Sequence, residues 1–268
     1  MVDQHTPHSL LVTFYAAYGR EVPSPFPLTR LLRLLAALQV DGSSVRSSVS
    51  RLQQRGLLVL EEDTEGATAH ALSVQAHQLL ADSDSRIYDR HTPRLADGWV
   101  LAVFSAPEPE RHHRHQLRSQ LEQLGFGSAA SDVWIAPARL YEETRHTLRR
   151  RQLDPYVELF RGEHLGFAAT AEAVANWWDL AAIAKQHQAF LDEQEPVLRK
   201  WSAGQVPTPR EAYRDYLLAL DSWRRLPYAD PDLPLELLPV GWPGARSAEV
   251  FAALHELLRD AGALFIAT

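Results

Sequence analysis

The chain has 268 residues, 46% of them hydrophobic and 23% charged, with a formal net charge of −7. That profile belongs to a folded protein of more than one domain and excludes a disordered or collagen-like chain, and no run of about 18 apolar residues is present to span a bilayer as a helix. Cysteine is absent, which excludes disulfide frameworks, thiolate catalysis and Cys-based metal centres; the first residues lack a secretory pattern, so the cytoplasm is the expected location.

In chain order, PHSLLVTFYAAYG places Leu10, Leu11, Phe14, Tyr15 and Tyr18 on one helical face, stopped at Gly19. After a loop with Pro23, Pro25 and Pro27, LTRLLRLLAAL predicts a second helix with Leu28, Leu31, Leu32, Leu35 and Leu38 inward and Arg30 and Arg33 outward. Asp41 and Gly42 end it, and DGSSVRSSVSRLQQRG, opening with capping candidates, predicts a third ended at Gly56, with Val45, Ser48, Val49 and Leu52 inward. LLVLEE and TAHALSV then alternate as two strands joined by an acidic turn around Glu65 and Gly66. Three short helices and a hairpin make a winged helix-turn-helix, expected over residues 1–90. A polar boundary near Asp89 to Asp97 contains Pro93. GWVLAVFSA, a polar helix from Glu108 to Leu124, GFGSAASDVWIAP, a helix around Leu140 to Leu153 and YVELFRG follow in β-α-β-α-β order, a ferredoxin-like domain expected over 97–168. From Thr170 the pattern is helical to the end, a third domain over 170–268. The expected fold class is therefore α+β and multidomain.

Charge is unevenly spread. Residues 1–56 hold six Arg (Arg20, Arg30, Arg33, Arg46, Arg51, Arg55) against Asp3, Glu21 and Asp41, or +3, whereas 57–90 hold Arg86 and Arg90 against seven acids, or −5. The third helix presents Ser43, Ser44, Arg46, Ser47, Ser50 and Arg51 on its outer face and first turn. Arg reads guanine bidentately, small hydroxyls reach phosphates or base edges, and a helix N-terminus attracts phosphate, so these are the expected DNA-binding residues. The plainer alternative is a solvated Ser/Arg face. The four serines of that face and first turn lower the intrinsic propensity of a short helix, which favours a partner docked there.

The runs VRSSVSRLQQRGLL (45–58), SRIY (85–88), GFG (125–127) followed by VWIAP, WDLAAIAKQHQAFL (178–191) and DPDLPLELLPVGWPG (230–244) occur in an order that resembles the phenylacetic-acid-degradation repressor family, the PaaX-like regulators. The resemblance runs from about Ser9 to the C-terminus. It implies a cytoplasmic, homodimeric transcription regulator that binds double-stranded operator DNA through a winged-helix head. It also implies a central ferredoxin-like domain similar to CRISPR adaptation nucleases, a helical C-terminal domain, and repression of catabolic genes relieved by an acyl-CoA or aromatic acid. Arg86 and Tyr88, where the head hands over to the central domain, are the expected effector contacts. The wing sequence EEDTEG departs from the basic or Gly-rich wings of the family, and Ser48, Leu57 and His187 depart from its usual residues.

Two rival readings concern the central segment. Glu108, His112 and His115 have a spacing that suits a metal, but Arg111 and Arg114 beside them repel a cation, so neither a metal nor a cofactor is expected. A metal-dependent nuclease, the alternative function, needs a carboxylate at the end of the first central strand, and that strand ends Val103-Phe104-Ser105-Ala106. An enzyme is therefore not expected. The seven tryptophans could line an aryl pocket or fill cores.

Overall fold

The computed structural model describes residues 5–22, 25–63, 66–89, 93–104 and 111–267. Helices and two small antiparallel sheets make it an α+β protein. Two compact units are present: Met1–Asp89 with Phe190–Arg224 and Arg246–Thr268, and Arg90–Ala189 with Arg225–Ala245. The helical segment expected at 170–268 is thus shared between the two units. None of its described helices is long and apolar enough to cross a membrane.

The first unit begins with α1 (Pro7–Phe14), capped by Thr6, whose side chain accepts from the Ser9 amide, and started by Pro7. A five-residue π turn carries the chain on to Gly19. A short strand β1 (Phe26–Pro27) leads into α2 (Leu28–Ala36), then α3 (Gly42–Gln54). In α2 it is Leu34, not Leu32, that completes the buried stripe with Leu31 and Leu35. Strands β2 (Leu58–Glu62) and β3 (Thr68–Leu72) pair antiparallel, and β1 adds to β3 to give the order β1-β3-β2. A helix not anticipated from periodicity, α4 (Val74–Tyr88), follows at once. Its sequence buries only Ala76 and Ile87, too sparse a stripe to announce itself, although the cap Ser73, accepting from the Ala76 amide, is legible.

Two C-terminal helices, α9 (Pro209–Trp223) and α11 (Gly244–Ala267), complete this unit through aromatic packing. Tyr18 stacks at 6.0 Å on Tyr213 and meets Tyr216 edge-on at 5.8 Å, and its hydroxyl donates to the Arg259 carbonyl at 3.0 Å. A Cβ at Gly262 would stand 2.6 Å from that hydroxyl and 2.9 Å from the Tyr213 backbone, so only glycine admits this close approach. At the start of α1 lies Asp221 of α9, fully buried. It accepts hydrogen bonds from Ser9, from Thr13 at 2.8 Å and from His5 Nδ1 at 2.9 Å, while His5 also faces Glu193 at 3.4 Å. Arg224 donates to the Thr13 hydroxyl at 3.0 Å and extends the network.

The second unit contains β4 (Trp99–Phe104), α5 (Arg111–Gln123), β5 (Gly127–Ala130), β6 (Val133–Pro137), α6 (Tyr141–Arg150) and β7 (Val157–Gly162). The run GFGSAASDVWIAP, expected as one element, folds into two strands turning at Ser131 and Asp132. The sheet is antiparallel in the order β5-β6-β4-β7. One face buries Val100, Ala102, Trp134 and Ala136 against Leu117 and Leu121 of α5 and Leu148 of α6. The other face covers Trp99 and Ile135 with α7 (Thr170–Trp177), the start of α8 (Leu180–Ser202) and Leu233 and Leu237 of the connector. Here the GFG motif has a physical reading: the Trp178 indole donates to the Gly125 carbonyl at 3.0 Å, and a Cβ at Gly127 would lie 2.7 Å from the same ring. A short α10 (Leu226–Ala229) precedes Asp230, whose carboxylate lies 2.9 Å from His187 Nε2, accepts from the Trp242 indole at 3.3 Å and accepts the Asp232 amide at 2.8 Å.

The Asp221 network predicts a pH dependence. Its hydrogen bond to Asp221 raises His5 from the ordinary 6.5 to about 9, so the bound proton stabilises the fold fully below 6.5 and that contribution is lost as the pH rises through about 9. Thermal unfolding of wild type and His5→Gln should therefore differ most near pH 6 and converge above pH 9. Asp221→Ala, which strands buried donors, should cost roughly 3–5 kcal/mol in denaturant unfolding at neutral pH.

Candidate functional site

Helix α3 is held from below and open above. Val45, Ser48, Val49 and Leu52 are buried, and the helix packs on α1, α2 and β2. Asp41 caps its start: the carboxylate accepts the Ser44 amide at 3.0 Å and the Ser43 hydroxyl, and these bonds hold its pKa below the usual carboxylate range. An ionised cap fixes the first turn without covering the outer face.

The sequence-predicted residues are brought together on that face. Ser43, Arg46, Ser47, Ser50 and Arg51 are exposed, and Ser44 is half-buried beneath the first turn. Arg51 donates to the Ser47 hydroxyl at 2.9 Å, which pre-orients the guanidinium along the helix. Two residues not singled out from the sequence extend the surface, Gln54 and Arg55, both exposed. They lie one turn beyond Ser50 and Arg51, so the same 3.6-residue period, carried to the helix end, would have found them. His8 on α1 completes the surroundings; its pKa is lowered by burial and by the nearby Arg55, Arg51 and Arg224.

The other basic residues of the first segment are spent elsewhere. Arg20 makes a two-bond ion pair with Asp84 of α4 at 2.7 and 2.9 Å. Arg30, expected outward, donates to the Ile266 carbonyl at 2.6 Å, and Arg33 lies 5.4 Å over the Phe265 ring. The exposed arginines on and just beyond α3 are thus Arg46, Arg51 and Arg55, while Arg33, also exposed, is directed to the end of α11. On the hairpin, Glu61 and Glu62 at the end of β2 are exposed, Asp63 accepts the Ala67 amide at 2.8 Å, and Glu65 lies outside the described residues.

Arg86 and Tyr88 are not side by side on an open surface. Arg86 is half-buried, and the Tyr88 ring packs 5.3 Å from His255 and 6.2 Å from Phe251, with its pKa raised by burial. The tryptophans divide as well. Trp99, Trp134, Trp178, Trp201 and Trp223 are buried, and Trp177 and Trp242 are half-buried. Trp177, Trp178 and Trp242 line one groove of about 780 Å³ in the second unit, together with Pro239, Val240 and Pro243, and with Asn176 and Asp179 as its polar groups. Glu108 and the Ser105-Ala106 end of the first central strand lie outside the described residues; His112 sits 3.8 Å from His113, which stacks on Tyr156 at 4.2 Å.

Three family models match the chain in succession: PaaX-like protein over residues 6–76, the PaaX protein central Cas2-like domain over 92–174, and the PaaX-like protein C-terminal domain over 178–268. The chain is 25% identical over 244 residues to Transcriptional repressor PaaX of Escherichia coli (strain K12), covering 89% of this chain and 76% of that protein. It also resembles the solved structure of an uncharacterized protein, Rv0674, from Mycobacterium tuberculosis, with a TM-score of 0.61 and 19% identity over 97% of this chain and 99% of the other. That second likeness is one of fold.

The exposed geometry of α3 sets a test. Arg46→Ala and Arg51→Ala should each weaken duplex DNA binding, by roughly 1–3 kcal/mol where the side chain reads a base, or with a salt slope lower by about one where it holds a phosphate. Fluorescence anisotropy over a salt series separates the two, and wild-type binding by both variants would remove α3 from the interface.

Proposed function

The chain belongs to the PaaX-like family, and from that premise we propose that it is a DNA-binding transcriptional repressor whose α3 enters the major groove of an operator. The observation that carries this reading is the capped, open Arg/Ser face of α3 set on a buried apolar stripe. The head's three helices and antiparallel β1-β3-β2 sheet support a winged helix-turn-helix with β2 and β3 as the wing. The β4-α5-β5-β6-α6-β7 succession and the strand order β5-β6-β4-β7 support a ferredoxin-like central domain. The bacterial relative is a transcriptional repressor, which supports a cytoplasmic location, and the family premise favours regulation over catalysis.

One α3 covers only a few base pairs and, with Arg55 just past its end, presents three arginines, too small a readout for an operator, so the active species is a homodimer on an inverted repeat. The acidic end of the wing is held away from the phosphates, because carboxylates beside that backbone are repelled.

Release follows from a small acyl thioester or aromatic acid that favours the conformer not bound to DNA; a hundredfold effect takes about 2.7 kcal/mol of coupling. The Trp177–Trp178–Trp242 groove supports a place for it. Its volume falls in the range of small-molecule sites, and indole and proline walls accept a flat ring. Asp179 at the groove disfavours a free carboxylate next to it and so favours the thioester. Arg86 and Tyr88 remain the second proposed contact set, acting through the α4 end they occupy.

A gel shift against the protein's own upstream DNA tests both halves. Wild type should retard that fragment in preference to unrelated DNA, and phenylacetyl-CoA or another acyl-CoA should release it. Trp242→Ala should keep the shift and lose at least tenfold in thioester sensitivity, as expected when a stacked ring worth about 1.4 kcal/mol is removed. Absence of any preference for the upstream fragment would overturn the repressor reading, and release unaffected by Trp242→Ala would move the effector away from the groove.

A further inference from the structure

The imidazole of His8 sits where three elements of the first unit converge. His8 lies on the first turn of α1, and α1 packs on α3 and on α9. The charged groups that reach the ring are Arg51 and Arg55 at the end of α3 and Arg224 just past α9, all of them cations. The carboxylates that meet α1 and the residues before it, Asp221 on α9 and Glu193 on α8, are engaged by His5, Ser9, Thr13 and Ser222 instead. Neither the π turn nor α2, which also pack on α1, contains an acid.

The half-buried ring has one working edge. Its Nδ1 is enclosed and has no hydrogen-bond partner among the described residues, so His8 meets a ligand through Nε2. Arg51 and Arg55 are exposed, and the Arg51 guanidinium is oriented by its bond to Ser47 at 2.9 Å. Burial and the surrounding cations lower the pKa of His8, which leaves the ring mostly neutral at pH 7 in the free chain. The enclosed Nδ1 is part of the burial cost and stays so when a ligand binds; what a ligand can change is the charge. An anion set among these groups offsets the repulsion that keeps the proton off and adds an attraction in its place.

We propose that His8 is a phosphate contact of the head that takes up a proton from solvent when DNA binds: with Arg51 and Arg55 it holds a backbone phosphate at the edge of the groove that α3 enters, donating through Nε2. Imidazolium and guanidinium groups are donors only, and a phosphodiester oxygen is an acceptor only, so the two sets match without a base edge between them. A helix lying in the major groove has the sugar-phosphate strand beside its ends, and an HTH packs its first helices against that strand. A contact of this kind carries no sequence information; it fixes register while the exposed face of α3 reads bases.

This inference rests on the DNA-binding reading of α3, and the test separates the two. The full chain and His8→Gln are titrated by anisotropy onto a duplex of about 40 base pairs from the upstream region, between about pH 6 and pH 8 and between about 50 and 200 mM salt. Wild type should bind about tenfold more tightly at the lower pH, with a salt slope steeper by about one there, since one more cation then displaces counterions. His8→Gln, a neutral donor at every pH, should bind throughout as wild type does at the higher pH, with a single slope and the same preference for the upstream sequence. Calorimetry of wild type in two buffers of different ionisation enthalpy reads the proton directly and depends on no variant; a net uptake at neutral pH is expected. No uptake, or wild-type affinity that is flat with pH while Arg46→Ala still weakens binding, overturns the His8 contact and leaves the repressor reading intact. A pH dependence that persists in His8→Gln belongs to another group and likewise overturns it. Wild type that binds no duplex overturns both readings.

Discussion

A carboxylate with no solvent exposure governs the first unit. Asp221 on α9 would be untenable alone, since an isolated charge taken out of water costs several kcal/mol. It is tolerable because Ser9, Thr13 and His5 converge on it from α1 and the residues just before it. The converse holds too: α1 cannot leave α9 without stranding that charge. Since α3 packs on α1, the open Arg/Ser face is positioned through this one buried group, with the Tyr18–Tyr213–Tyr216 cluster and the close approach at Gly262 adding packing around it.

The same unit shows how a small charge excess is distributed. Six arginines in the first 56 residues suggest a broadly basic head. Three of them instead tie down neighbouring helices, Arg20 on α4 and Arg30 and Arg33 on the end of α11. An arginine donating to a carbonyl at a helix C-terminus satisfies an otherwise orphaned acceptor. The field left around α3 is therefore local, set by Arg46, Arg51 and Arg55 on its exposed side.

In the second unit a buried carboxylate again organises the connector. Asp230 gathers His187, the Trp242 indole and the Asp232 amide, so that the run from Asp230 to Gly244 is held as a wall of the aromatic groove. Gly244 belongs to the same arrangement, because a Cβ there would lie 3.1 Å from the Asp230 carboxylate and closer still to Trp242. Gly125 and Gly127 do the corresponding work for Trp178.

The sequence by itself determined the elements whose signals are local. The buried stripe Val45-Ser48-Val49-Leu52, the Asp41 cap and the exposed arginines of α3 follow from a period of 3.6 and from cap chemistry, both set within a few residues. The positions of β2 and β3 were legible as well, from apolar runs flanking an acidic turn, although their burial does not alternate: β2 buries Leu58 and β3 buries Ala69 and His70. Only the tertiary structure decided what depends on residues far apart in the chain. Nothing local marks Asp221 as the anchor of α1, some 210 residues away, or divides the C-terminal helices between two units. Likewise α4 went unread because its sparse apolar positions acquire meaning only from their packing partners, as when Trp223 donates to the Ile87 carbonyl. Trp177, Trp178 and Trp242 are single aromatic letters in the sequence, and they become one groove only when the connector folds back across α7 and α8. Periodicity reports which side of a helix is apolar; the partner it faces is set by long-range closure, and that information is absent from any short window.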